Sequence, residues 1–128
     1  MLFRSLTSVS GSSAWVDRGF VTYSNEAKME MLGVASATLD AFGAVSEETA
    51  REMAAGALKN SGATMAYSVS GVAGPTGGTA TKPVGMVCFG FATSRNVVSE
   101  TKHFQGDRSA VREQSVNFVL AQLSRARI

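Results

Sequence analysis

The stretch Ser68-Val69-Ser70-Gly71-Val72-Ala73-Gly74-Pro75-Thr76-Gly77-Gly78-Thr79-Ala80-Thr81-Lys82-Pro83-Val84-Gly85-Met86-Val87 decides how the chain is read. Both prolines lie in it, and six of the 13 glycines (71, 74, 77, 78, 85 and 90) lie in it or just beyond. Apolar, β-branched and aromatic residues flank the loop, at 65–69 before it and 84–92 after it. The pattern is strand, long glycine-rich loop, strand. Long loops inside a compact domain tend to carry function. Glycines let backbone N–H groups approach a ligand, and Ser70, Thr76, Thr79, Thr81 and Lys82 add hydroxyls and a positive charge. Such a set suits an anionic or phosphate-bearing ligand. The plainer alternative is a wide connection that needs positive φ at several positions. Neither nucleotide fingerprint fits. Gly77-Gly78-Thr79 lacks the lysine of a phosphate-binding loop, and the segment leads into Lys82-Pro83 and a strand rather than a helix.

Outward from the loop, strands are expected near 65–70, 84–93 and 97–104, the last two joined by Ser94-Arg95-Asn96 as an antiparallel hairpin. Asp107 caps a final helix with a buried stripe of Val116, Val119, Leu120 and Leu123, and Arg112 lies one turn before Val116. Upstream, Ser46 caps the clearest helix, with Glu47 and Glu48 at its positive end and Ala50, Met53, Ala54, Ala57 and Leu58 at helical spacing. Gly62 stops it. A further helix spans about 25–32, capped by Ser24 or Asn25, with Ala27, Met31 and Leu32 inward. Alternation at 18–23 predicts a strand, and residues 1–10, with Leu2, Phe3, Leu6 and Val9, read as the last turns of a helix. The order predicts an α/β fold: a three-layer α/β/α sandwich with a mixed, mainly parallel sheet and an antiparallel hairpin. Ligands bind such sheets at the strand ends, where the glycine loop lies.

The 128 residues make one domain, 45% apolar and 17% charged. A net charge of +2, with the positives scattered, argues against a nucleic-acid surface. One cysteine, Cys88, in an apolar strand implies no disulfide and a cytoplasmic setting. With His103 as the sole histidine, a His/Cys metal site cannot be assembled. No apolar run reaches membrane-spanning length.

Few catalytic sets remain. There is no Gly-x-Ser-x-Gly elbow, and Glu47 and Glu48 are explained by capping. Hydroxyl plus lysine is left: Ser12 or Ser13 in a turn, Tyr23 at a strand end, and Lys28 in the first turn of a helix. Lys28 is either an ordinary solvated lysine or one whose pKa falls through burial and the helix dipole. In the second case it can take a serine proton, giving a Ser-Lys acyl-transfer pair.

Gly11-Ser12-Ser13-Ala14-Trp15, Asp17-Arg18-Gly19-Phe20-Val21-Thr22-Tyr23-Ser24-Asn25 and Ala27-Lys28, then Gly43-Ala44-Val45-Ser46-Glu47, resemble a known family. So do Ser70-Gly71-Val72-Ala73-Gly74-Pro75 with Gly77-Gly78-Thr79 and Lys82-Pro83-Val84-Gly85, and Phe104 with Gly106-Asp107-Arg108 and Val111-Arg112. The family is the C-terminal domain of the competence/damage-inducible CinA proteins. The resemblance runs over essentially the whole chain, and the glycine-loop motif is specific. It implies a three-layer α/β/α fold and a bacterial nicotinamide-nucleotide amidase. Such an enzyme deamidates nicotinamide mononucleotide to nicotinic acid mononucleotide and ammonia, without metal or cofactor, and is commonly a homo-oligomer.

By motif, Ser13 matches the proposed nucleophile and Lys28 the lysine that activates it. Tyr23 matches the tyrosine lining the pocket, and Ser70 stands where the family usually has threonine. Arg108 or Arg112 matches an arginine near the last helix. The resemblance thus assigns substrate binding to Tyr23, Ser70, Gly71, Gly74, Gly77, Gly78, Thr79, Lys82, Arg108 and Arg112. The expected partners are a nucleotide substrate and further copies of the chain, with no nucleic acid and no membrane. Family domains begin earlier, with a strand and an Ala-Glu-Ser-Cys-Thr-Gly-Gly turn carrying a further active-site serine. Residues 1–128 are therefore expected to form a single domain lacking the first strand and the start of the first helix. The alternative function is a catalytically impaired nucleotide-binding or assembly module.

Overall fold

The computed structural model describes Gly11 and residues 16–126. Ser12, Ser13 and the helix expected within residues 1–10 lie outside the described residues. The elements are α1 (Asn25–Leu32), α2 (Ser36–Phe42), α3 (Glu47–Lys59), β1 (Met65–Gly71), β2 (Met86–Thr93), β3 (Val97–His103) and α4 (Arg108–Ala126). The caps follow the sequence. Ser24 Oγ accepts from Ala27 N (3.1 Å), Ser46 Oγ from Thr49 N (3.1 Å), and Asp107 from Ala110 N (2.9 Å). Asn60, not Gly62, closes α3. Helix α2 was not expected; no side chain caps its start and its seven residues give no amphipathic signal to read.

The sheet differs from expectation. Among the described residues it has three strands in the order β1-β2-β3, and both pairs are antiparallel. A parallel pair needs a crossover element, and residues 72–85 supply only a loop that returns the chain along its own neighbour. Residues 16–23 form no strand. Their alternation is real, with Phe20 packed inward and Val21 and Tyr23 70% and 96% exposed, but no strand among the described residues pairs with their backbone. The segment is held instead by Asp17, whose carboxylate accepts from Gly62 N (3.0 Å), and by Arg18, which donates to Asn60 O (3.1 Å).

Helices cover both faces of the sheet, at different spacings. The α3 face is made of small residues: Ser68 and Gly90 meet Ala50, and Cys88, Ala92 and Ala54 are buried. A Cβ on Gly90 would lie 2.2 Å from Ala50 O, so the close approach of α3 requires glycine there. Ser68 Oγ donates to the same carbonyl at 2.6 Å. On the other face Val87 and Phe89 pack against Val111 and Val119, with the rings of Phe89 and Phe118 4.5 Å apart. Burying Phe89 fully is worth about 2–3 kcal/mol. The stripe of α4 is therefore Val111, Ser115, Phe118, Val119 and Leu123, of which Val119 and Leu123 were expected, whereas Leu120 is exposed. A second core joins Leu32, Val34, Leu39 and Met53 between α1, α2 and α3. Met31, expected inward, is 40% exposed. No helix among the described residues is long and apolar enough to cross a membrane.

Candidate active site

Lys28 lies in the first turns of α1, one turn past its Ser24 cap. Its side chain turns back beneath the extended residues that lead into the helix, and Nζ donates to Thr22 O at 2.8 Å. The residue is 7% exposed, and burial pushes the amine below the ordinary lysine value of 10.5. Proximity to the positive end of α1 acts in the same sense. A buried amine whose one hydrogen-bond partner among the described residues is a neutral carbonyl, with no carboxylate among them bonded to it, is suited to give up its proton. Tyr23, one residue beyond Thr22, points into solvent instead of lining a pocket of its own chain.

The glycine loop is folded on itself. Its neck continues the β1–β2 ladder, with Val72 N donating to Met86 O (2.9 Å) and Gly85 N to Val72 O (2.7 Å). Gly85 has φ +94°, and a Cβ there would meet Phe104 O at 2.2 Å. Further out, Thr79 N donates to Lys82 O (2.9 Å) and Lys82 N to Thr79 Oγ1 (3.0 Å), closing a turn. Gly74 and Gly78 press against Val84, with Cβ positions 2.6 and 2.8 Å from its atoms. Gly77, at φ +91°, has only Val72 Cγ1 near its Cβ position, at an ordinary contact distance of 3.9 Å.

The loop bridges the two helical layers. Lys82 Nζ donates to Phe42 O at the end of α2, and Ser70 Oγ donates to Ala44 O (2.8 Å) two residues on. On the opposite side Arg108 donates to Gly74 O (3.0 Å). Arg108 lines a small cleft with Pro75, Val84 and Gly106. Arg112 lines a larger open cleft of ≈ 490 Å³ with Val69, Gly71, Val87, Ser109 and Val116. The structure thus gathers Ser70, Gly71, Gly74, Gly77, Gly78, Thr79, Lys82, Arg108 and Arg112 around one end of the sheet. Ser70, Thr79, Lys82 and Arg108 are engaged with backbone groups, while the Arg112 side chain makes no hydrogen bond among the described residues. No hydrogen bond among the described residues joins Lys28 or Tyr23 to the loop. The receiving groups, Thr22 O and the carbonyls of 42–44, are main-chain atoms with no side-chain signature in sequence.

The family model described as the CinA C-terminal domain matches residues 1–126. The chain belongs to this family. The CinA domain is 54% identical over 121 residues to a protein of Enterobacter agglomerans named nicotinamide-nucleotide amidohydrolase PncC, covering 94% of this chain and 74% of the relative. It is 54% identical over 119 residues to the Escherichia coli K12 protein of the same name, covering 92% and 72%. Among solved structures it matches the competence/damage inducible protein CihA of Agrobacterium tumefaciens with a TM-score of 0.94 at 45% identity, over 99% of this chain and 78% of that one. A further match is the Klebsiella pneumoniae competence damage-inducible protein A, with a TM-score of 0.92 at 38% identity, over 97% and 77%.

Proposed function

We propose that this CinA domain is a nicotinamide-nucleotide amidase that converts nicotinamide mononucleotide to nicotinic acid mononucleotide and ammonia by a Ser-Lys mechanism. The observation that carries the reading is the buried, carbonyl-bonded amine of Lys28, with its pKa lowered by burial. The relatives named amidohydrolases supply the substrate class. Neutral Lys28 takes the proton of Ser13 as Ser13 Oγ attacks the carboxamide carbon. The tetrahedral adduct then collapses, and the proton returns from Lys28 to the departing nitrogen, which leaves as ammonia. Water attacks the resulting ester, again giving its proton to Lys28. That proton passes to Ser13 as the C–O bond breaks and the carboxylic acid is released. Loop N–H groups hold the oxyanion and the phosphate, with Arg112 and the remaining N–H groups of Arg108 as the cations nearest the open clefts.

No cofactor or metal takes part, and the enzyme works in the cytoplasm. Exposure of Val21 and Tyr23 on a segment without a strand partner among the described residues supports a homo-oligomer in which a second copy covers them. The test is ammonia release from nicotinamide mononucleotide by the purified chain beside Ser13→Ala and Lys28→Met. Release by the parent and loss in both variants is expected. Normal turnover in both variants removes the mechanism. Nucleotide binding without release by the parent leaves a binding module.

A further inference from the structure

We propose that Lys82 is a positioning residue that straps the glycine loop to the end of α2, rather than a ligand of the substrate. The inference rests on the reading of that loop as the nucleotide-binding element. Three contacts carry it. Lys82 Nζ donates to Phe42 O, one of the last carbonyls of α2 that no turn of the helix can satisfy. Gly43, which follows, leaves room for the ammonium: a Cβ at Gly43 would stand 2.8 Å from Nζ. The backbone of Lys82 is fixed in turn, because its N–H donates to Thr79 Oγ1 and its C=O accepts from Thr79 N.

A lysine held at the tip of its side chain and at both of its peptide groups is a strut. The ammonium is spent on a main-chain carbonyl at the negative end of a helix, where a cation is favoured. What it controls is the position of the loop tip at Gly77 and Gly78, whose amides are among the loop donors with no bond among the described residues. Arg108 performs the matching task on the far side through Gly74 O. The loop is therefore anchored to helices on both faces of the sheet.

Hydrogen exchange on the ligand-free protein tests the strap directly. In Lys82→Met the amides of Thr79 and Gly85 are expected to exchange about tenfold faster, the loss of one charge-assisted hydrogen bond. Lys82→Arg, which keeps a donor for Phe42 O, is expected to restore their protection. Unchanged exchange in Lys82→Met overturns the proposal. If Lys82→Met does not fold, Thr79→Val, which removes the acceptor for Lys82 N, is expected to release the same amides, and unchanged exchange there overturns it equally. In turnover, Lys82→Met is expected to raise KM about tenfold with kcat nearly unchanged, and Lys82→Arg to rescue KM. Exchange is read without substrate, so an inactive parent chain refutes the amidase and leaves the strap standing.

Discussion

The ammonium of Lys28 reaches back six residues to the carbonyl of Thr22, at 2.8 Å, and is buried there. As a base it must be neutral, so amidase activity is expected to rise with pH with a midpoint below 10.5. Lys28→Arg keeps a long cationic side chain that does not deprotonate, and is expected to cost about 10²- to 10⁴-fold in kcat/KM. A pH profile of kcat/KM on both proteins decides; a midpoint at 10.5 or an active Lys28→Arg removes Lys28 as the base.

The same burial has a thermodynamic sign. Lys28 has a lower pKa folded than unfolded, so between the two values the unfolded chain binds more protons and stability rises with pH. Below the folded pKa the whole cost of charging a buried amine is present. Lys28→Met is accordingly expected to be more stable than the parent at pH 7, by about 1 kcal/mol, with the gap closing toward pH 10.5. Urea unfolding of both proteins at pH 7 and pH 10 measures it.

Gly90 sits where α3 crosses the sheet. With its Cβ position 2.2 Å from Ala50 O and 2.7 Å from Ser68 Oγ, Gly90→Ala must push α3 off the strands. A loss of about 3 kcal/mol is expected by chemical denaturation. Gly62→Ala is the control: its nearest atom is Asp17 Oδ2 at 4.0 Å, and the expected change is under about 0.5 kcal/mol.

Glu47 joins α3 to β3 by accepting from Thr101 Oγ1 (2.7 Å) and Ser99 Oγ (2.8 Å). These bonds, Thr101 first, hold its carboxyl below the usual value of 4.5, with Arg51 assisting. The stability this adds is present above pH 4.5 and lost as pH falls through the lower folded value. Since the side chain is 40% exposed, solvent screening limits the effect to below about 1 kcal/mol. Glu47→Gln is expected to lose that much at pH 7 and to match the parent once pH falls below the lowered folded value, as acid titration of the unfolding midpoint reports.

Where local chemistry sets the structure, the sequence was legible. Ser46 and Asp107 cap the helices they were expected to cap, Ser24 takes the cap left between it and Asn25, and strands 65–71, 86–93 and 97–103 fall within two residues or so of their expected spans. Direction was not legible, because parallel and antiparallel strands share one side-chain period and only the connection tells them apart. The segment 18–23 alternates like a strand but has no strand partner among the described residues, which no pattern within six residues can reveal. At the site, motif marked Lys28 and the loop, yet Lys82, Ser70 and Arg108 bond to carbonyls whose positions depend on the folded chain.

Three successive carbonyls form a junction: Phe42 O receives Lys82, Gly43 O receives Ser46 Oγ (2.9 Å) and Thr49 Oγ1 (2.7 Å), and Ala44 O receives Ser70. Every acceptor belongs to the main chain, so mutation at 42 or 44 leaves it in place, and Gly43 is constrained only by its φ of +78° and the nearby ammonium. Apart from Gly43, sequence change reaches this junction through its donors. The turn behaves as a fixed socket, and the loop's geometry is inherited through four side chains spread from residue 46 to residue 82.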